Sequence, residues 1–192
     1  MKSTDLPILP FASKKKWSDW LAKQYDKTTG IWIKIAKKDS GIPSLTYEEA
    51  LDVALCYGWI DGQKKGLDDQ YWLQKFTPRG PKSIWSKINT EKAERLIASS
   101  EMKPAGLKAI EAAKNDGRWE AAYASQKNIS IPEDFQAALE KNKKAKAFFS
   151  TLKSAERYSF LFRLHNTKKP EIRANRIQKF IEMLERGEKI HS

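Results

Sequence analysis

Trp59-Ile60-Asp61-Gly62-Gln63-Lys64-Lys65 and Tyr71-Trp72-Leu73-Gln74-Lys75-Phe76-Thr77, separated by Gly66-Leu67-Asp68-Asp69-Gln70, decide the fold. Both runs carry aromatic or β-branched residues, and the turn residues between them join the two as an antiparallel pair. The connection exceeds a two-residue turn, so the hairpin has a loop, in which Asp68 and Asp69 serve as turn formers. Upstream, Ile31-Trp32-Ile33-Lys34-Ile35-Ala36-Lys37 has β-branched residues at alternate positions, between Gly30 and Ser40-Gly41-Ile42-Pro43, and reads as a third strand. Thr46-Tyr47-Glu48-Glu49 then forms a capping box, in which hydroxyl and carboxylate each satisfy a backbone N–H of the other residue. The helix that follows puts Tyr47, Ala50, Leu51, Ala54 and Leu55 on one face, leaves Cys56 off it, and stops at Gly58. The class is therefore α+β, a small antiparallel sheet with a covering helix, without the strand and helix alternation of a parallel sheet.

Beyond Arg79 the pattern turns helical. Asn89 is read as the cap of a helix through Ala93, Leu96 and Ile97, and Pro104 as the first turn of one ending at Gly117. Pro132 is read as the first turn of a third, followed by helices over 143–152, 155–166 and 170–186, the last stopped by Gly187. The polar stretch Tyr123 to Ser130 is the best linker. The expected division is an α+β domain over 1–125, holding the candidate pocket, and a helical module over 126–192.

With 192 residues, 40% hydrophobic and 11% aromatic, the chain has ample material for buried cores. No apolar run approaches the roughly 20 residues of a membrane helix, so no membrane insertion is expected. The early apolar patch Leu6 to Ala12 is broken by Pro7 and Pro10 and precedes Lys14-Lys15-Lys16, the reverse of a secretory signal, so a cytoplasmic location is expected. One cysteine, Cys56, leaves no internal disulfide and fits a reducing compartment. One cysteine and two histidines, His165 and His191, make no zinc-type cluster, and neither metal nor other cofactor is expected. The net charge of +12 favours anionic partners: nucleic acid, phosphorylated ligands or acidic surfaces. From Ile129 onward 14 Lys+Arg stand against 8 Asp+Glu, half of the excess.

Two groups of residues are candidates for chemistry. The first is Trp59, Asp61, Arg79, Ser83, Trp85, Ser86 and Asn89. Strand alternation puts Trp59 and Asp61 on one sheet face, and Arg79 follows the next strand, placed to pair with Asp61 or to fork onto an anion. Ser86 and Asn89, at a helix start, bring hydroxyl, amide and backbone N–H groups to an anion. The competing reading is structural: a buried Asp61–Arg79 ion pair, two helix caps and a core tryptophan. The second group is Lys168, Lys169, Arg173 and Arg176, an anion-binding patch around the last helix, whose core stripe is Ile177, Phe180, Ile181 and Leu184. Snorkelling of the arginines over the core is its competing reading. Cys56 has no neighbouring histidine or helix N-terminus to activate it, and His165 sits where a cap or core role suffices.

Ile131-Pro132-Glu133-Asp134-Phe135-Gln136-Ala137-Ala138-Leu139, Ala147-Phe148-Phe149 and Lys168-Lys169-Pro170-Glu171-Ile172-Arg173-Ala174-Asn175-Arg176-Ile177 together resemble the helical domain of the YdeI or OmpD-associated family, also labelled bacteriocin-protection proteins. Gly58-Trp59-Ile60-Asp61-Gly62, Phe76-Thr77-Pro78-Arg79 and Trp85-Ser86-Lys87-Ile88-Asn89 are similar to the N-terminal part of its longer members. Ile172 stands where the family usually has threonine, and Thr167 where it often has alanine. The resemblance implies a part in resistance to bacteriocins or cationic antimicrobial peptides, with no established activity. The expectation is a stress or bacteriocin-resistance binding protein with an anionic or small-molecule ligand. Nucleic-acid binding is the first alternative, and an enzyme using Asp61, Arg79 and Ser86 the second, for which no nucleophile and base pair can be named.

Overall fold

A computed structural model describes residues 6–190; His191 lies outside them. The chain forms two compact units, one comprising the residues up to Trp85 together with Asn89–Ala121, the other Ser86–Ile88 and the residues from Ala122 onward. The class is α+β, with a four-stranded sheet and a helical C-terminal part.

The first unit contains β1 (Ile8–Pro10), α1 (Lys14–Gln24), β2 (Ile31–Ala36), α2 (Tyr47–Cys56), β3 (Trp59–Gly66), β4 (Tyr71–Pro78), most of α3 (Lys87–Ala98), and α4 (Pro104–Asn115). Strand order is β1-β2-β4-β3. The β2, β4 and β3 pairings are antiparallel, as the hairpin and the alternating strand require, with Ile31 opposite Phe76 and Trp59 opposite Pro78. A bulge between Asp61 and Lys64 interrupts the hairpin. The buried Gln74 amide spans it, donating to the carbonyls of Gly62 at 3.0 Å and Gln63 at 3.2 Å.

Two elements were not legible in the sequence. β1 joins β2 in parallel, so the sheet gains a parallel edge beside its antiparallel body. Three residues ending in a proline carry no period of their own, and only the pairing to β2 makes them a strand. α1 hides behind Lys14-Lys15-Lys16; its signal is the Ser13 hydroxyl accepting from the Lys16 N–H and the buried pair Trp17 and Leu21, four residues apart.

One face of the sheet is core. Ile31, Ile33, Ile35, Phe76 and Trp59 are buried on it, with the Trp17 ring 6.0 Å from Phe76 and 6.1 Å from Trp59. The Trp17 indole N–H donates to the Ala50 carbonyl at 3.0 Å and ties α1 to α2. The capping box forms as expected: Glu49 accepts from the Thr46 N–H at 2.8 Å, and Thr46 from the Glu49 N–H at 3.2 Å. α2 is buried over more of its circumference than its stripe predicts, Val53 and Cys56 included. Cys56 therefore lies inside, where α4 crosses close: a Cβ at Gly106 would collide with the carbonyl oxygens of Cys56 and Leu55.

The second unit contains α5 (Glu133–Lys141), α6 (Lys143–Thr151), α7 (Ser154–His165) and α8 (Pro170–Glu185). Pro132 is the N-cap of α5, one position before the first turn where it was expected, and Pro170 occupies the first turn of α8. Their common core is Phe135, Leu139, Phe149, Phe160, Leu164, Phe180 and Leu184 with their apolar neighbours. Phe160 meets Phe180 edge-on at 5.0 Å and Phe149 meets Phe135 edge-on at 5.6 Å, the arrangement that ring quadrupoles favour. Among the described residues no helix is long and apolar enough to cross a membrane, and no group of three or more His, Cys, Asp or Glu could hold a metal ion.

Candidate functional site

β4 delivers Arg79 just past its end, and the segment 79–85 folds back on it. The guanidinium lies 3.5 Å from the centroid of the Trp85 ring, and Nη1 donates to the Ile84 carbonyl at 3.2 Å. Trp85 is 1% exposed and packs at 4.8 Å against Trp119. The Ser83 hydroxyl accepts from the Gly80 N–H at 3.0 Å, closing the turn, and its carbonyl accepts from Arg118 Nη1 at 2.8 Å. Arg118 in turn is held by the Asp116 carboxylate at 2.8 Å. Arg118 and Trp119 went unread in the sequence; their signal was two large side chains directly after the helix stop Gly117.

Around Arg79 opens a groove of about 750 Å³ whose lining includes Tyr25, Asp26, Tyr57, Trp59, Arg79 and Lys108, with prolines and the small residues of α4 completing it. Gly58, at φ +72°, admits it: a side chain there would meet the Ala105 carbonyl. Trp59 is fully buried, its indole N–H donating to the Tyr25 carbonyl at 3.0 Å, so it is the wall behind the groove.

The other members of the first group are placed differently. Asp61 shares the inner sheet face with Trp59 as alternation predicts, but its carboxylate accepts from the Tyr47 hydroxyl at 2.8 Å, at the start of α2. Ser86 forms a bridge to Tyr123 within the second unit. Asn89 is not the cap of α3: the helix begins at Lys87, so Asn89 lies in its first turn, and it is buried.

In the second group, Lys168 and Lys169 are exposed. Arg173 is engaged internally. Its Nε and Nη2 fork onto the Asp134 carboxylate at 2.5 and 2.8 Å, and Nη1 donates to the Leu164 carbonyl at the end of α7. The guanidinium holds the Asp134 carboxyl below its ordinary range, chiefly through these hydrogen bonds. Arg176 Nη1 donates to the Arg163 carbonyl at 3.1 Å and to the Thr167 hydroxyl. Thr167 is buried and its hydroxyl donates to the same Arg163 carbonyl at 2.6 Å, so both arginines fasten α8 to the end of α7 instead of merely snorkelling over the core. Arg163, Arg176 and Lys179 border a groove of about 450 Å³ whose apolar lining includes Ile172, Phe180 and Met183.

Cys56 lines a third groove, of about 480 Å³, beside the Lys14–Glu101 ion pair, and burial pushes its thiol up to about 11, the opposite of nucleophile activation. Asp68 is a turn former, accepting from the Gln70 and Tyr71 N–H groups at 2.9 and 2.7 Å. His165 Nε2 lies 2.9 Å from the Ser130 carbonyl, a structural contact.

Two family profiles match the chain. One, described as a domain of unknown function (DUF8412), covers residues 9–109. The other, described as bacteriocin-protection, YdeI or OmpD-associated, covers residues 128–187, where the C-terminal block of the resemblance lies, while the N-terminal block from Gly58 to Asn89 falls within the first profile. No curated protein and no solved structure matches.

Proposed function

We propose, for a chain that belongs to the DUF8412 family and carries a YdeI or OmpD-associated module after it, a role in protection against bacteriocins exercised by binding rather than by catalysis. The observation that carries the binding reading is the groove lined by Tyr25, Tyr57, Arg79 and Lys108 in the first unit. A largely apolar groove with a few convergent charges is the usual form of a site for a small or peptide-like ligand. Arg79 and Lys108, two cations against the single carboxylate of Asp26, select a ligand with an anionic group, and the tyrosines select one with an apolar or aromatic body. Stacking on Trp85 holds the Arg79 plane, which lowers the cost of ordering it on binding. In the second unit, Lys168 and Lys169 with the Arg163, Arg176 and Lys179 rim supply the basic surface, while Arg173 serves the fold.

The test has two arms. Thermal unfolding is followed with short peptides that end in an aromatic residue and a free carboxylate, and with the same peptides amidated. The free acids are expected to raise the midpoint of the wild type, and Lys108→Ala and Arg79→Ala to abolish the gain. Survival of bacteriocin-challenged cells expressing the chain is expected to fall to the level of empty cells with the same variants. Stabilisation that survives both substitutions would refute this groove as the site. Protection that survives them would separate the groove from the protective role.

A further inference from the structure

The outer face of the sheet carries a pattern that none of the three grooves uses. Register puts four strands' outward residues in rows. Ala36 lies opposite Tyr71, the next row is Lys34, Leu73 and Lys65, and in the next Trp32 lies opposite Lys75 and beside Ile8. Gly62, across the bulge, adds only ordinary contact distance to the Lys75 stem, so the β3 side of the face is low. Trp32, Lys34, Tyr71 and Lys75 are partly exposed, Lys65 and Ile8 exposed. Leu73, in register between Lys34 and Lys65, is 3% exposed. The rows hold three lysines and no carboxylate: Asp61 points to the inner face, and Asp68 is folded into its turn.

We infer that this face is a binding platform for single-stranded nucleic acid, with Trp32 and Tyr71 as stacking surfaces for bases and Lys34, Lys65 and Lys75 as phosphate contacts. Charge of one sign selects a polyanion, and two partly exposed aromatic rings on one sheet face select one whose units have faces to stack. Trp32 and Tyr71 are two rows apart, roughly 13 Å along the strands at about 3.4 Å per residue, a separation that an extended strand bridges with one or two nucleotides between stacked bases. In the free protein the Lys34 ammonium lies 3.8 Å from the centroid of the Tyr71 ring. A base stacking on that ring takes the place of the ammonium, which moves to the adjacent phosphate. A duplex presents no unstacked bases, so it is the disfavoured form.

Fluorescence anisotropy of the full chain with labelled oligo-dT of 15 nucleotides, its duplex with oligo-dA, and polyglutamate tests this. The single strand is expected to bind at low salt with a log–log salt slope near −2, about 0.7 for each of three lysines. Lys34→Gln/Lys65→Gln/Lys75→Gln is expected to weaken it at least tenfold. Trp32→Ala, its fold checked by circular dichroism, is expected to lose most of the preference for single strand over polyglutamate. Lys143→Gln/Lys144→Gln, at exposed positions of α6, is expected to change nothing. Equal affinity for duplex or polyglutamate, binding untouched by the triple substitution, binding lost with Lys143 and Lys144, or no binding at low salt would each overturn the assignment.

Discussion

At the scale of single residues, the arginines of α8 show how partners decide a role. Arg173 has three hydrogen-bonding edges and the structure engages them with Asp134 and the Leu164 carbonyl, so its planar fork serves the helix junction. Because the folded-state pKa of Asp134 is lowered, this pair contributes stability above the ordinary carboxylate range and loses it as pH falls through the folded-state value. Asp134→Asn should therefore lower the unfolding midpoint at pH 7, and the gap from wild type should close as pH falls through the folded-state value, as thermal melts across pH would record. Solvent screening of a side chain 44% exposed keeps the effect to roughly 1 kcal/mol or less. Cys56 tests burial in the opposite sense. Its thiol is neutral and enclosed at pH 8, so iodoacetamide should label it only at a rate set by opening of the fold, and denaturant should accelerate labelling by orders of magnitude. Labelling as fast as that of a free thiol would contradict the burial.

Among the elements, α2 and α4 illustrate a requirement that periodicity does not express. The stripe Ala50, Leu51, Ala54 and Leu55 predicts one buried face, and the packing buries Val53 and Cys56 as well. The reason is the approach of α4 over the carbonyl end of α2, which only a residue without Cβ permits at Gly106. In an isolated helix Gly→Ala is worth up to about 1 kcal/mol of stabilisation. Here overpacking against backbone atoms should outweigh it, so Gly106→Ala is expected to destabilise by about 1–3 kcal/mol, measured from the denaturant midpoint. A neutral or stabilising result would mean that the helices have room to part. α1 makes the complementary point: a lysine-rich start lowers its mean hydropathy, yet Trp17 and Leu21 carry it into the core through two well-placed side chains.

For the whole molecule, each unit has its own core, and that of the second is complete in side chains from residue 129 onward. A fragment over 126–192, the division expected from the polar linker, should keep its helical circular dichroism and unfold cooperatively; a non-cooperative melt would show that the module depends on the preceding residues. Local signals sufficed wherever neighbours in sequence satisfy one another: the alternation of Ile31, Ile33 and Ile35, the Thr46–Glu49 box, the loop turned by Asp68, the helices opened by Pro104 and Pro170. The α+β class and the family of residues 128–187 followed from these patterns and from short motifs. Tertiary structure alone decided what depends on partners far apart in the chain. It made Ile8–Pro10 a strand by pairing it with β2, and it turned Asp61 to Tyr47 and Arg79 onto Trp85. It also gathered Trp32, Tyr71 and three lysines onto one open face. Residue type and spacing determine which groups a backbone element can present, but the partner that engages each group is fixed only when distant segments are brought within hydrogen-bonding or stacking distance.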